Sequence, residues 1–258
     1  MSKIKPILLL FVLLTSIQLV AGDKERGFDI LLSGTKSEPR VLACKAPEFS
    51  FHLPHMAGNF RLGVTNKKNS LWGSDLKKVS VKEDNGKLTY TLKDPLLGNG
   101  SLTVYVAKLS DSDGIILEVE ADNIPEGLQL MWSFGGCYGK VLDNRTDSKL
   151  EAPYCKYNVF SVEGTAFSVY YGESMRLKII HGVTPLNSDI RLSDAHQQQT
   201  PLAFYESGKK TDAPALAAAT PLKNGEKLYF CFYTQNQKAD YNYYMLPELF
   251  KMEFNTTH

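Results

Sequence analysis

Short runs of β-branched and aromatic residues recur along this chain at hairpin spacing, with no βαβ rhythm between them. They are Glu48–Pro54 (EFSFHLP), Lys87–Asp94 (KLTYTLKD), Ser101–Leu109 (SLTVYVAKL), Gly114–Asp122 (GIILEVEAD), Leu128–Phe134 (LQLMWSF), Ala166–Tyr171 (AFSVYY), Arg176–Gly182 (RLKIIHG) and Lys227–Thr234 (KLYFCFYT). Alternation sends every second side chain to one face of a strand, so each run reads as a strand with a core side. Between them, Asp84–Lys87 (DNGK) and Leu109–Gly114 (LSDSDG) read as hairpin connections, because Gly86 and Gly114 accept the positive φ that tight turns demand. The expectation is an all-β fold of packed antiparallel sheets. A single late helix is expected at about 246–254 (LPELFKMEF): Pro247 and Glu248 suit a first turn, and Leu246, Leu249, Phe250 and Phe254 fall on one face.

The N-terminus has the three-part layout of an export signal: Lys3 and Lys5, the apolar run Ile7–Leu14, then Ala21 and Gly22. The apolar stretch is too short for a membrane span. Residues 1–22 are therefore expected to be a signal peptide and 23–258 one exported β-sandwich domain, periplasmic or secreted. Loss of Lys3 and Lys5 with the leader takes the 29 basic side chains to 27 against 28 acidic ones. That balance favours neither nucleic acid nor an anionic membrane as partner. Four cysteines (Cys44, Cys137, Cys155, Cys231) are too few for a disulfide framework. Cys231, inside a strand-like run, is expected to be a buried thiol. No metal-ligand spacing and no cofactor motif are present.

The stretch Trp132–Asn144 (WSFGGCYGKVLDN) has the ingredients of a phosphate loop or a reactive cysteine. Gly135 to Lys140 is one residue short of the phosphate-loop spacing, and Val141 stands where a magnesium-binding hydroxyl belongs. No histidine near Cys137 carries a base signature. A strand ending at Gly135-Gly136 and turning into a loop is the expectation. Among carboxylates, Asp111 and Asp113 fit turn geometry, and Glu118 and Glu120 alternate on what reads as a solvated strand face, so no catalytic pair is assigned. Trp132 alternates with Leu128, Leu130 and Phe134 and belongs in a core. Trp72, in KNSLWGSD, lacks such partners and is a candidate ligand platform. His196 and Gln197, in the polar cluster Asp194–Gln199, are candidate hydrogen-bonding ligand residues.

Four ordered blocks carry a family resemblance: Ala46–Val64 (APEFSFHLPHMAGNFRLGV), Asp94–Lys140, Pro153–Gly172 (PYCKYNVFSVEGTAFSVYYG) and Leu192–Ser207 (LSDAHQQQTPLAFYES). Together they resemble a domain-of-unknown-function family that forms the N-terminal β-supersandwich region of large exported bacterial six-hairpin glycosidases. The resemblance implies an antiparallel β-supersandwich with a short C-terminal helix. It further implies an (α/α) toroid elsewhere that carries the catalytic carboxylates, with the connection to it falling where this sequence runs out at Asn255–His258. It gives no reason to pair Cys137 with Cys155, and both are expected to be thiols. The implied function is that of a non-catalytic accessory domain of a polysaccharide-degrading glycoside hydrolase. The alternative is a stand-alone carbohydrate-binding β-sandwich. Tyr243, Tyr244, Phe250 and Phe254 are the expected docking residues for a glycosidase catalytic domain or polypeptide.

Overall fold

The computed structural model describes residues 30–53, 56–138, 150–156, 158–173, 176–208 and 210–255. The first half of the chain supplies β1 (Ile30–Gly34), β2 (Pro39–Ala43), β3 (Glu48–Leu53), β4 (Met56–Thr65), β5 (Ser70–Trp72), β6 (Lys78–Asp84), β7 (Lys87–Lys93) and β8 (Ser101–Lys108). The second supplies β9 (Gly114–Asp122), β10 (Gln129–Tyr138), α1 (Ala152–Cys155), β11 (Val159–Glu163), β12 (Ala166–Glu173), β13 (Arg176–Val183) and β14 (Asp189–Asp194). It closes with α2 (Pro201–Glu206), β15 (Pro214–Pro221), β16 (Lys227–Thr234) and α3 (Leu246–Asn255). Among the described residues these strands form two antiparallel sheets. The first runs β1-β2-β3-β4-β10-β15-β14 with β5 on β4, and the second runs β11-β12-β13-β16-β9-β8-β7-β6. The expected all-β sandwich with one short C-terminal helix is what forms. The expected leader, residues 1–22, lies outside the described residues.

Alternation explains the core. Leu130, Trp132 and Phe134 of β10 share a face, and so do Phe230 and Phe232 of β16; all five are buried between the sheets. The Phe60 and Phe232 ring centroids are 4.2 Å apart, Phe134 stacks on Phe232 at 5.7 Å, and Trp132 stacks on Phe167 at 6.0 Å. Burying each such ring stabilises the fold by about 2–3 kcal/mol. At the hairpin from Asp84 to Lys87, Asn85 and Gly86 take φ of 50° and 73°, the primed-turn conformation that matches strand twist.

Part of each outer face is covered as well, and here the structure corrects the sequence reading. Helix α3 packs on β8, β9 and β16. Leu246, Leu249 and Phe250 close over Tyr229, Cys231 and Tyr233, which is why KLYFCFYT is apolar on both faces. Glu253 fastens the helix, accepting from Ser110 N at 2.9 Å and Ser110 Oγ at 2.8 Å. Cys231 is a buried thiol, as expected, and burial raises its pKa. Glu118, by contrast, is buried rather than solvated. It lies on the covered face of β9, where Lys227 Nζ approaches to 2.9 Å and the Tyr229 hydroxyl donates to it at 2.6 Å.

Two glycine readings also change. Strand β10 does not end at Gly135-Gly136 but continues to Tyr138, pairing Gly135 with Asn59 and Gly136 with Gly58. A Cβ on Gly135 would lie 2.4 Å from Leu150 Cδ2, so glycine is there to admit that side chain. Gly114 is needed for close approach rather than for positive φ: its Cβ would meet the Phe232 carbonyl oxygen at 2.2 Å.

Candidate functional site

The outer face of the first sheet carries a concavity of about 520 Å³. Its floor is made possible by small residues. Ala213, Ala215 and Ala217 leave room for Phe204 of α2 and for Trp72. Helix α2 starts there because Thr200 Oγ1 accepts from Ala203 N at 3.2 Å and Pro201 occupies its first turn. The preceding loop is wound around Asp194, whose Oδ1 accepts from His196 N at 3.0 Å and from Thr211 Oγ1 at 2.7 Å. Gln198 then reaches inward, its Nε2 donating to the Leu150 and Ala195 carbonyls while its backbone carbonyl accepts from Trp72 Nε1 at 2.9 Å.

Trp72, His196, Gln198 and Gln199 line this concavity together with Arg61, Asp75, Leu150, Glu151 and Pro153. Two of the three residues expected to contact ligand, Trp72 and His196, are thus brought together from 124 positions apart in sequence. Gln197 is exposed and is not part of the lining. Trp72 is not an open platform in a loop. It ends β5, is 2% exposed, and has the Arg61 guanidinium 4.3 Å over its ring and the Phe204 ring 6.3 Å away. Arg61 is itself buried and paired with Glu48 at 3.2 Å. His196 Nε2 lies 3.0 Å from Asp212 Oδ1, and this hydrogen bond holds the Asp212 carboxyl below its usual pKa. The arrangement can seat a small polar group by hydrogen bonds at a rim of His196 and Gln199, but it offers no exposed indole face for stacking. Arg61, Asp75 and Glu151 were not singled out from the sequence. They come from β4, a one-turn 3-10 segment and the start of α1, and no local motif links them.

The other sequence-level carboxylates hold the fold together. Asp111 accepts from the Tyr241 hydroxyl at 2.5 Å, and Asp113 accepts from Ser33 Oγ at 2.9 Å. Glu118 and Glu120 share Lys227. Of the expected docking residues, Phe250 faces the chain's own sheet and is 7% exposed, a correction to its expected role on the surface. Phe254 is half-buried, edge-on to Tyr105 at 5.7 Å and under Lys87 Nζ at 5.5 Å. Tyr243 is half-buried and Tyr244 is 79% exposed. The side chain of Cys137 and the whole of residues 139–149, which include Lys140 and Val141, lie outside what is described.

The model of a family described as Domain of unknown function (DUF4450) matches residues 53–253. Among solved structures, a bacterial glucoamylase complexed with acarbose superposes with a TM-score of 0.52 at 9% identity, covering 83% of this chain and 34% of that one. The α-N-acetylgalactosaminidase NagBb from Bifidobacterium bifidum, in complex with Gal-NHAc-DNJ, gives a TM-score of 0.48 at 9% identity, covering 79% and 36%. The chain therefore spans about a third of the length of the solved structures it matches. No curated protein matches it by sequence.

Proposed function

The chain belongs to the DUF4450 family, whose model matches residues 53–253, and on that premise we propose that it is an exported, non-catalytic accessory domain of a polysaccharide-degrading glycoside hydrolase. In this reading it packs against a separate (α/α)-toroid catalytic domain. The observation that carries it is one of extent: 83% of this chain overlays on only 34% of a bacterial glucoamylase chain, and a fold like one region of a larger enzyme is what an accessory domain would have. The exposed apolar side chains of the C-terminal segment, Tyr244, Met245 and Met252, supply a surface for docking. The stand-alone carbohydrate-binding alternative rests on Trp72 and scattered tyrosines, and of these Trp72 is buried and offers no platform.

The test is co-purification of the chain with the glycosidase polypeptide encoded nearest to it, followed by comparison of that enzyme's Tm and kcat/KM with and without the chain. Association with a raised Tm is expected. Failure to associate overturns the reading. So does hydrolysis of a glucan or an α-GalNAc conjugate by the chain alone that is lost in Asp75→Asn or Glu151→Gln, the carboxylates of the first-sheet concavity.

A further inference from the structure

The outer face of the second sheet is divided. Helix α3 packs on β8, β9 and β16, whereas the half built from β11, β12 and β13 carries an open concavity of about 420 Å³, walled on one side by the segment after β16. That volume falls in the range of small-ligand sites. Strand register lays one row of side chains across its floor: Ser161 opposite Ser168, Ser168 opposite His181, and His181 opposite Tyr233. The row is internally coupled, with Ser168 Oγ 2.8 Å from His181 Nδ1 and the His181 and Tyr233 rings 5.2 Å apart. Tyr241 extends it, edge-on to Tyr233 at 4.9 Å and fixed by its hydroxyl's bond to Asp111.

We propose that this concavity binds an uncharged pyranose. Each part of the row matches a part of such a ring. Hydroxyls and imidazole both donate and accept, as sugar hydroxyls do, and the half-buried rings of Tyr170 and Tyr241, which also line the concavity, are placed to cover the apolar C–H surface of a pyranose, with the buried Tyr233 packed against His181 and Tyr241 as their support. Charge selects against the acidic alternative: Glu163 and Asp240 stand at the rim, and no Lys or Arg is among the described lining residues. Burial keeps the His181 pKa below its ordinary value against the pull of Asp240, so the imidazole is neutral near pH 7 and keeps both an acceptor and a donor nitrogen. The inference does not depend on whether a catalytic domain docks, because Ser161, Ser168 and His181 lie on β11, β12 and β13, which carry none of the exposed C-terminal residues.

The experiment is a titration of the full chain, followed by saturation-transfer NMR and calorimetry, with glucose, galactose, N-acetylgalactosamine and maltotriose, and with glucuronate as the anionic control. Saturable binding of at least one uncharged sugar is expected, with none of glucuronate. Ser168→Ala and His181→Ala are expected to weaken it about tenfold each, the loss of one directed hydrogen bond. The exposed rim variant Asp240→Ala reads the same site without disturbing the sheet, should His181→Ala compromise folding. Lys82→Ala, exposed on β6 at the far edge of the same sheet, is expected to leave binding unchanged. Absence of binding across the panel overturns the proposal, as does binding insensitive to Ser168, His181 and Asp240 or binding abolished by Lys82→Ala.

Discussion

His52 shows how much one buried side chain can impose. It lies on β3 facing away from the phenylalanine core, is buried, and its Nε2 has no hydrogen-bond partner among the described residues. Burial, reinforced by the positive charge of Arg40, lowers its pKa from 6.5 to about 4. The unfolded chain binds this proton from about pH 6.5 downward while the folded chain resists it to about pH 4. Stability is therefore full above pH 6.5 and is lost progressively as the pH falls to 4, by roughly 3 kcal/mol in all. Urea midpoints measured between pH 7 and 4.5 should fall in the native chain and fall less steeply in His52→Gln. Identical slopes would remove His52 as the cause. Glu118 makes a related point about reading residues singly. Its alternation with Glu120 reads as a solvated face, yet the face is covered, and a buried carboxylate persists there because Lys227 and Tyr229 both meet it.

At the scale of elements, helix α3 was legible from Pro247 and the spacing of its apolar residues, but which of those residues face inward was not. Phe250 stacks against Phe254 at 5.0 Å and approaches Tyr229 at 5.9 Å, whereas Met252, two residues on, is 61% exposed. Phe250→Ala should destabilise the chain by about 3–5 kcal/mol, and Met252→Ala by less than about 0.5 kcal/mol. Equal effects in urea denaturation would mean that the helix is not docked as described. Strand β15 presents the opposite case. Its sequence PALAAATP is the composition of a good helix, and it is a strand because β10 on one side and β14 on the other pair with it. Its alanines fit where Trp72 and Phe204 fill the space above the sheet. Part of that requirement comes from Trp72, more than a hundred positions away, and propensity carries no trace of it.

For the molecule as a whole, the exposed trio Tyr244, Met245 and Met252 is the part of the C-terminal segment left over after its own sheet has been covered. If the proposed catalytic partner docks there, Tyr244→Ser with Met252→Ser should weaken the association at least tenfold while leaving the urea midpoint of the isolated chain in place; an unchanged affinity would move the docking surface elsewhere. The division between local and long-range information runs through the whole fold. Strand periodicity, the Asn85-Gly86 turn and the C-terminal helix could be read from the sequence because each depends on side chains within a few positions of one another. The burial of Trp72 under Arg61, the covering of Glu118, the passage of β10 through Gly135 beneath Leu150, and the row from Ser161 to Tyr233 could not. Each of these is set by which strand lies next to which and by what packs on the outer faces. Sequence alternation determines that a strand has two faces; only the assembled sheets and helices decide whether the second face meets water.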